Sequence, residues 1–408
     1  MEKASSILAS VFGSREPVAS ATVATIFVYP IKSCRGISVP RACITSTGLR
    51  WDRQWLVVNS KGRGYTQRVE QTLALVEIEL PIDAFREDWE PNDISYMVIK
   101  APQMEPLKIP LNREHAAIDD ISVWEWSGSA LDEGNEAFEW FTKYLGKPSR
   151  LVRFNTVSEI RAVDPDYAQG YKTAFSDAFP FLLASQGSLN SVNELLEEPL
   201  SVNRFRANII VDGCDPFSED LWKEIKINKL TFCGVKLCAR CKWLLINVIN
   251  ALFLLVTSVK RFPENMLITY VVEEYEAECS NPSSFKPDEH QHVPTINQEN
   301  GSVGNEPTQT LMKFRSDHAM HLKEKKGKVF FGQNLICKDS LSPTGRGKSI
   351  AVGDPVCVLQ KYPSYADAPV LGSVNKLLVS AFLDSLIELF KISIFCIKKQ
   401  LQQRCGLI

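Results

Sequence analysis

The stretch ATVATIFVYPIKSCRGISVPRACITSTGL, residues 21–49, decides the fold class of this chain. It consists of short runs of β-branched and aromatic residues separated by proline and glycine, which is typical of an antiparallel sheet or barrel. The same pattern continues through RQWLVVNS (53–60), YTQRVE (65–70) and LALVEIELP (73–81). We therefore predict a β-rich unit over residues 20–149 that ends in a helix at AFEWFTKYLG, residues 137–146.

A second β-rich unit is predicted from residue 150 to residue 361. Its strand-like segments are LVRF (151–154), RANIIVDG (206–213), EIKINKLTFCG (224–234), VKLCARCK (235–242), KVFFGQNLIC (328–337) and SIAVGDPVCVLQ (349–360). Between the first two segments, Ser188 is predicted to cap a helix that carries Leu189, Val192, Leu195 and Leu196 at helical spacing. We therefore expect an α+β fold that is mostly β.

Three segments differ in composition from these strands. Residues 1–19 are interpreted as a leader. Residues 243–292 begin with the apolar run WLLINVINALFLLVTSV (243–259), and residues 362–408 form an atypical, largely apolar tail with scattered charges. Because polar or charged residues interrupt both apolar runs, neither is a convincing membrane span, and an interfacial helix is the favoured interpretation of the tail.

Charge and cysteine content exclude some classes of protein. The formal net charge is −2 and the isoelectric point is about 6.3. The chain therefore lacks the basic field of a dedicated nucleic-acid binder, and we expect no nucleic-acid partner. The eleven cysteines do not follow the regular spacing of a small secreted disulfide scaffold, which favours a reducing compartment.

A C-x4-C-x2-C array is formed by Cys233, Cys238 and Cys241. This spacing matches the first three ligands of a plant-type two-iron cluster, for which Cys279 or Cys337 would have to be the fourth ligand. A structural zinc site would need the same fourth ligand. The alternative is one thiolate, Cys241, because molybdenum already held by a dithiolene needs a single soft protein donor. Arg240 would then help to keep that sulfur ionised.

Eight ordered motifs give the chain a resemblance to a known family. They are VYPIKSCRG (28–36), DRQWLVVN (52–59), FSDAFPFLLAS (175–185), NRFRANIIVDG (203–213), CARCK (238–242), VPTINQENG (293–301), FGQNL (331–335) and VGDPVCVL (352–359). In this order they resemble the MOSC family, and within it the amidoxime-reducing components and their plant relatives, which are similar to molybdenum cofactor sulfurases. The resemblance implies a MOSC_N-type β domain over residues 20–149 and a MOSC-type β-barrel domain with flanking helices over residues 150–361.

The resemblance also implies a molybdenum-pterin cofactor and a set of residues around it. Cys241 matches the family's molybdenum ligand, and Asp177 matches an aspartate beside the metal that can exchange protons during oxygen removal. The positions that match the family's grip on the pterin and its phosphate are Lys32, Ser33, Arg53, Arg206 and Asn208, with Arg68 as a weaker candidate. Cations and amide or hydroxyl donors suit such an anionic, hydrogen-bonding group.

The function implied by the resemblance is reduction of small N-hydroxylated substrates such as amidoximes and hydroxylamines. The sequence contains no G-x-G-x-x-G fingerprint after a strand, so electrons are expected from a cytochrome b5-type donor and its NADH-dependent flavin reductase. The alternative function is a molybdenum cofactor carrier or sulfurase-type module without reductase turnover. The implied location is mitochondrial, associated with the outer membrane, or cytoplasmic.

Residues 243–292 depart from the family pattern. In relatives, the Arg-Cys-Lys segment leads directly into the strand that begins here at Val293. A long loop costs little closure entropy, but an apolar loop needs a surface against which to bury itself, and membrane association through this insert or the tail would provide one. Retained non-coding sequence or an incorrectly drawn gene model would explain both the insert and the unfamiliar tail after Lys361. An isoform that carries the insert is expected to be inactive.

Overall fold

The first strand among the described residues belongs to a closed barrel that is completed by strands from distant parts of the sequence. The computed structural model describes residues 19–112, 116–240, 294–322, 327–342 and 347–369. These residues all belong to one unit, Met1–Val370, and the second unit, Leu371–Ile408, lies outside them.

Strands dominate the regular structure of the described residues. In chain order they are β1 (Ala21–Val28), β2 (Ile37–Val39), β3 (Arg41–Thr45), β4 (Gly48–Leu49), β5 (Trp55–Asn59), β6 (Glu77–Glu79), β7 (Tyr96–Lys100), β8 (Leu107–Pro110), β9 (Ala117–Val123), β10 (Trp126–Asp132), β11 (Ser149–Phe154), β12 (Arg161–Ala162), β13 (Lys172–Thr173), β14 (Phe181–Ser185), β15 (Ile209–Asp212), β16 (Trp222–Ile227), β17 (Leu230–Arg240), β18 (Val329–Cys337), β19 (Ser349–Ala351) and β20 (Pro355–Lys361). The helices are α1 (Asn135–Leu145), α2 (Pro165–Ala168), α3 (Gln186–Asn193) and α4 (Thr308–Phe314). The prediction of a mostly β fold with few helices is confirmed.

Seven strands close the barrel in the order β15-β14-β18-β17-β16-β20-β1, and the pairing of β1 with β15 completes the ring. Neighbouring strands are antiparallel except β14 and β15, which are parallel. Apolar side chains of the barrel strands, among them Ile26, Leu183 and Phe232, form one buried cluster. Closure pairs the strand edges that an open sheet would leave exposed.

Strands β5 to β11 and helix α1, which together we call the N-terminal part, contain their own sheets and core. One sheet has the strand order β5-β11-β10-β9, and a second has the order β6-β7-β8. Helix α1 buries Ala137, Trp140 and Phe141, which lie at helical spacing, and contributes them to the core of this part. The helix ends at Gly146, whose φ of 68° is the left-handed conformation that glycine favours after a helix. The helix predicted over 137–146 is confirmed.

The two predicted units exchange strands. Strands β1 and β2 lie within residues 20–149 but belong to the barrel sheet, whereas β11 lies at the start of the second unit and pairs with β5 and β10. Strand β3 likewise pairs with the distant β19. The loop that follows β1 is therefore held between the barrel and the N-terminal sheets.

The start of α3 differs from the prediction. Its cap is Ser185, whose hydroxyl accepts a hydrogen bond from the backbone N–H of Ser188 at 3.0 Å. Ser188 is buried inside the helix, and its own hydroxyl donates to Glu219 at 2.6 Å. The prediction that Ser188 caps the helix is wrong because β14 runs directly into α3 and moves the start of the helix three residues earlier.

Candidate functional site

Strand pairing brings together three loops that carry predicted site residues. Strand β1 is antiparallel to β15, and β15 is parallel to β14, so the carboxyl end of β1 lies beside the amino ends of the other two strands. Lys32 follows β1, Asp177 precedes β14 and Arg206 precedes β15. Residues separated by up to 174 positions in the sequence therefore meet at one place.

Lys32 and Asp177 form a mostly buried ion pair, with side-chain exposures of 5% and 14%. The Lys32 ammonium donates to Asp177 Oδ1 and to the carbonyl of Phe175, the latter at 2.9 Å. Asp177 Oδ1 also accepts from the indole Nε1 of Trp124 at 3.3 Å. Burial lowers the pKa of Lys32 to about 8, although the neighbouring Asp177 opposes this shift. A lysine of this pKa beside a carboxylate can release or take up a proton near neutral pH.

Arg53 and Arg206 lie over the same aromatic ring. Their guanidinium carbons are 4.3 and 4.4 Å from the ring centroid of Tyr29. Arg53 donates to Asp52 at 2.7 Å and to the carbonyl of Arg206 at 3.0 Å, while Arg206 donates to the carbonyl of Cys34 at 2.8 Å. The ring and these acceptors hold two like charges close together in a buried place.

One donor of Arg206 remains unsatisfied. Its Nη2 is buried and has no hydrogen-bond partner among the described residues. Burial, followed by the positive charge of Arg53, lowers the pKa of Arg206 to about 10. Leaving a buried cationic donor without an acceptor is costly, so this atom fits an anionic group that would accept from it.

The region carries more buried positive than negative charge. Its buried cations are Lys32, Arg53, Arg161, Arg206 and Arg240. The carboxylates that bond to them within the described part of the chain are Asp52, Asp177 and the more exposed Glu125. Five cations and three carboxylates leave an excess of two positive charges, which suits an anionic ligand.

Asn208 uses its side-chain amide within the protein. Its Nδ2 donates to the carbonyl of Phe27 at 3.1 Å and to Asp52 at 3.0 Å, and its Oδ1 accepts from the N–H of Leu182 at 3.2 Å. These bonds tie β1 to the starts of β14 and β15. Ser33 lies beside Lys32 with a φ of 71° and donates to the carbonyl of Tyr65 at 3.5 Å.

Arg240 is fully buried and bonds to backbone carbonyls. It donates twice to Phe331, at 2.6 and 3.2 Å, and once to Phe205 at 2.9 Å. These contacts fix the end of β17, where Arg240 pairs in register with Val329. Cys241 lies outside the described residues, so its role as the metal ligand stays a prediction.

The geometry of β17 argues against the three-cysteine cluster. Cys233 and Cys238 are five positions apart on one strand, which separates their Cα atoms by roughly 16 Å at about 3.3 Å per residue, less a little for the strand's irregularities. They also pack in different apolar clusters. Burial raises the pKa of both thiols, which disfavours the thiolate that a metal needs. In the part of the chain that the structure describes, no group of three potential metal-ligating side chains comes together.

Two residues around Asp177 were missed by sequence reasoning. Trp124 lies at the turn between β9 and β10 with a φ of 55°, and its indole ring faces both Lys32 and Arg68 at 5.4 and 5.6 Å. Arg161, on β12, is buried and bonds to the loop that carries Asp177. Neither lies in a recognisable motif, and their contacts depend on strand pairings that local sequence does not show.

The described residues that flank the insert, Arg240 and Pro294, bond to two consecutive residues, Phe205 and Arg204. Arg240 donates to the carbonyl of Phe205, and Arg204 donates to the carbonyl of Pro294 at 2.9 Å. Beyond Pro294, Gln298 bonds to Gln67 of the N-terminal part at 3.1 Å. Both flanks of residues 241–293 are therefore built into the fold.

No helix among the described residues is long and apolar enough to cross a membrane. The apolar run 243–259 and the tail after residue 369 lie outside these residues, as does the leader up to residue 18. The predictions made for those segments are not addressed by the structure.

Two family models match the chain. The MOSC N-terminal beta barrel domain matches residues 20–148, and the MOSC domain matches residues 170–275. The first match agrees closely with the β-rich unit expected from the strand pattern. The second spans the end of β17 and the beginning of the insert.

The chain is also similar to curated proteins from several vertebrates. It is 35% identical over 231 residues to "Mitochondrial amidoxime reducing component 2" of Rattus norvegicus, covering 54% of this chain and 65% of that protein. It is 34% identical over 229 residues to the Homo sapiens protein of the same name, with the same coverage, and 31% identical over 229 residues to "Mitochondrial amidoxime-reducing component 1" of Homo sapiens, covering 54% of this chain and 64% of that protein. The matches span slightly less than two thirds of the length of these relatives.

Proposed function

Because this chain belongs to the family of proteins that carry a MOSC domain behind a MOSC N-terminal beta barrel domain, we propose that it binds a molybdenum-pterin cofactor and reduces small N-hydroxylated substrates. The observation that carries the proposal is the excess of buried positive charge around Tyr29 and the Lys32–Asp177 pair, with the unsatisfied Nη2 of Arg206 at its centre. The names of the relatives, amidoxime reducing components, support the substrate class.

The residues present fit an anionic pterin group. The Nη2 donor of Arg206 is buried and unsatisfied, and Arg53 lies beside it over the Tyr29 ring. Lys32 adds a third cation to this cluster. Arginine forks suit phosphate oxygens, and Arg206 and Arg53 are already held by the Tyr29 ring and by backbone carbonyls. Asn208 contributes by tying β1 to the starts of β14 and β15, next to the loops that carry Lys32 and Arg206, rather than through a free amide. Cys241 would supply the thiolate for the metal.

The proposed reaction needs both electrons and protons. Converting an N–OH group to N–H with release of water consumes two electrons and two protons. The bound cofactor would supply the two-electron redox chemistry. Lys32 and Asp177 are hydrogen-bonded to each other, and a pKa of about 8 at the lysine lets this pair hold a proton at neutral pH and pass it on. Trp124 donates to Asp177 and so orients its carboxylate.

Electron supply and location belong to the same proposal. We expect a cytochrome b5-type donor with its NADH-dependent flavin reductase, because the sequence carries no dinucleotide fingerprint of its own. The relatives are named mitochondrial, which supports a mitochondrial location for this chain.

The test is metal analysis by mass spectrometry on the purified protein, with the variant Cys241→Ala and the matched control Cys233→Ala. We expect near-stoichiometric molybdenum in the wild type and in Cys233→Ala, and loss of most of it in Cys241→Ala. Cys233 is half-buried on β17 and lies too far from Cys238 along this strand to share a metal with it, so its loss should be tolerated. Iron or zinc in place of molybdenum would overturn the proposal.

A variant that lacks residues 243–292 separates the family's function from that of this isoform. Since Arg240 and Pro294 both bond to neighbouring positions, 205 and 204, we expect the shortened protein to fold and to bind molybdenum. Molybdenum in the shortened protein alone would mean that the insert inactivates this isoform. Molybdenum without turnover of an amidoxime, in either form, would favour the cofactor carrier over the reductase.

A further inference from the structure

One buried arginine, Arg161, makes most of the side-chain bonds to the backbone of the loop that carries Asp177. Residues 174–180 have no helix or strand, yet Arg161 donates to three of the loop's carbonyls. Its Nη1 bonds to the carbonyls of Ala174, at 3.0 Å, and Ser176, and its Nη2 bonds to the carbonyl of Asp177 at 2.6 Å. Arg161 is 2% exposed and stands on β12, where it pairs with Thr173 immediately before the loop.

Between these carbonyls lies that of Phe175, which accepts a hydrogen bond from Lys32, the residue that also forms an ion pair with Asp177. Lys32 donates to the carbonyl of Phe175 at 2.9 Å, and the N–H of Phe175 donates to the carbonyl of Arg53 at 3.0 Å. Four consecutive carbonyls, from residue 174 to residue 177, thus accept from two buried cations. Arg161 and Lys32 together therefore fix the backbone of residues 174–177, which carries the Asp177 carboxylate.

Arg161 also connects this loop to the N-terminal part. Its Nη2 donates to Glu125 at 3.3 Å, and Glu125 follows Trp124 in the turn between β9 and β10. Trp124 in turn donates to the Asp177 carboxylate. The turn is therefore linked to the loop twice, once through the arginine and once through the aspartate.

We propose that Arg161 is a positioning residue that keeps the Asp177 carboxylate between Lys32 and Trp124. The proposal rests on the proposed function for its catalytic consequence, while the holding of the loop is independent of it. A planar guanidinium can reach several carbonyls at fixed angles, whereas an ammonium is a compact charge with no fork. Arg161→Lys keeps the charge and removes the geometry. A displacement of about 1 Å at a reacting group can cost roughly a hundredfold in rate.

Arg153 provides a matched control. It too donates to backbone carbonyls, those of Pro110 at the end of β8 and of Leu111 directly after it, both at 3.2 Å, and to a carboxylate, Glu133, at 2.7 Å. Its contacts lie in the N-terminal part and touch neither Lys32 nor Asp177. Arg153→Lys should therefore remove a similar set of arginine–carbonyl bonds without moving the site.

Two measurements on the full-length protein test the proposal. Hydrogen–deuterium exchange should become roughly tenfold faster over residues 174–180 in Arg161→Lys and stay unchanged there in Arg153→Lys, because local opening follows the lost bonds. With an amidoxime as substrate, Arg161→Lys should lower kcat roughly ten- to a hundredfold while KM and molybdenum content stay close to those of the wild type. Arg153→Lys should leave kcat unchanged.

Unchanged exchange over 174–180 in Arg161→Lys would overturn the proposal, as would faster exchange with an unchanged kcat. If the wild type holds no molybdenum and does not turn over, the proposed function fails, and the exchange comparison alone decides whether Arg161 holds the loop. Should Arg161→Lys fail to fold, Glu125→Gln leaves the guanidinium in place and weakens one of its contacts. That variant should show the same two effects to a smaller extent, and a wild-type result in both measurements would count against the proposal.

Discussion

The protein contains two buried groups of charged residues with opposite imbalances. The site cluster is rich in cations and consists of Lys32, Arg53, Arg161, Arg206 and Arg240 with Asp52, the mostly buried Asp177 and the more exposed Glu125. The barrel cluster has two acids, Glu219 and Asp220, for one cation, Arg315, and also contains Ser188 and Gln333. The unsatisfied atom of Arg206 is a donor, whereas the unsatisfied atoms of Glu219, Asp220 and Gln333 are acceptors.

This difference shows how each cluster can be completed. An excess of donors needs an anion from outside the chain, but an excess of acceptors can be relieved by protons. Burial and the neighbouring Asp220 raise the pKa of Glu219 to about 7, so this carboxyl can take up a proton near neutral pH. The site cluster therefore needs an external anion to balance its charge, whereas the barrel cluster can balance its charge by taking up protons.

The largest effect is expected from Arg315→Met in the barrel cluster. Arg315 forms an ion pair with Asp220, and both residues are almost fully buried. Removing the arginine leaves a buried carboxylate without its counter-charge, which should lower the free energy of unfolding by about 3–5 kcal/mol. Urea denaturation of the wild type and the variant measures this change in the free energy of unfolding. Arg86→Met is the control, because Arg86 pairs with Asp88 in solvent and its loss should change little. A small change in Arg315→Met would show that this cluster, too, tolerates an unpaired charge.

Only some residues of the site cluster and its surroundings could be predicted from the sequence. Lys32, Arg206 and Asp177 were predicted because they lie in ordered motifs, and the structure brings them together. Arg161 and Trp124 were missed because their partners are backbone carbonyls and a carboxylate on a distant loop. The same limit applies to strands: alternation predicted β1 correctly, but nothing local shows that β1 pairs with β15 and β20 to close the barrel.

The capping residue of α3 shows a related limit. Both Ser185 and Ser188 are plausible caps by residue type, and the choice depends on where β14 ends. The buried acid Glu219 then takes the hydroxyl of Ser188 as a donor, a contact between residues that are 31 positions apart. Residue type predicts which side chains can cap or bind, while tertiary contacts decide which of them do.

A smaller, pH-dependent effect is expected from Glu219→Gln. A folded-state pKa of about 7, above the ordinary value of 4.5, means that the folded protein binds more protons than the unfolded chain between these two values. The contribution of Glu219 to stability is thus full below pH 4.5 and is lost as the pH rises through 7, by up to about 3 kcal/mol at about 1.4 kcal/mol per pKa unit. Glutamine should remove this component.

The measurement is urea denaturation of both proteins at pH 5.5 and pH 7.5. The wild type should lose more stability than Glu219→Gln between these values, and parallel behaviour would contradict the assignment. The interval lies below the pKa of about 8 at Lys32, so that group contributes little to the difference. The glutamine oxygen can still accept from Ser188 and from the N–H of Ser185, which keeps the substitution local.

The smallest effect on stability is expected from Arg206→Met, and the contrast with Arg315→Met is the sharpest test of the comparison. Removing Arg206 loses its bond to Cys34 but also removes a buried charge that has no carboxylate partner among the described residues. The free energy of unfolding without ligand should therefore change by less than about 1 kcal/mol.

What Arg206→Met should lose is the response to an anion. Inorganic phosphate, added to the cofactor-free protein as a probe, should raise the melting temperature of the wild type and of Arg86→Met, because it binds the folded state. It should have little effect on Arg206→Met. A strongly destabilised Arg206→Met that still responds to phosphate would mean that Arg206 serves the fold, and that the excess charge of the site cluster is balanced in some other way than by a bound anion.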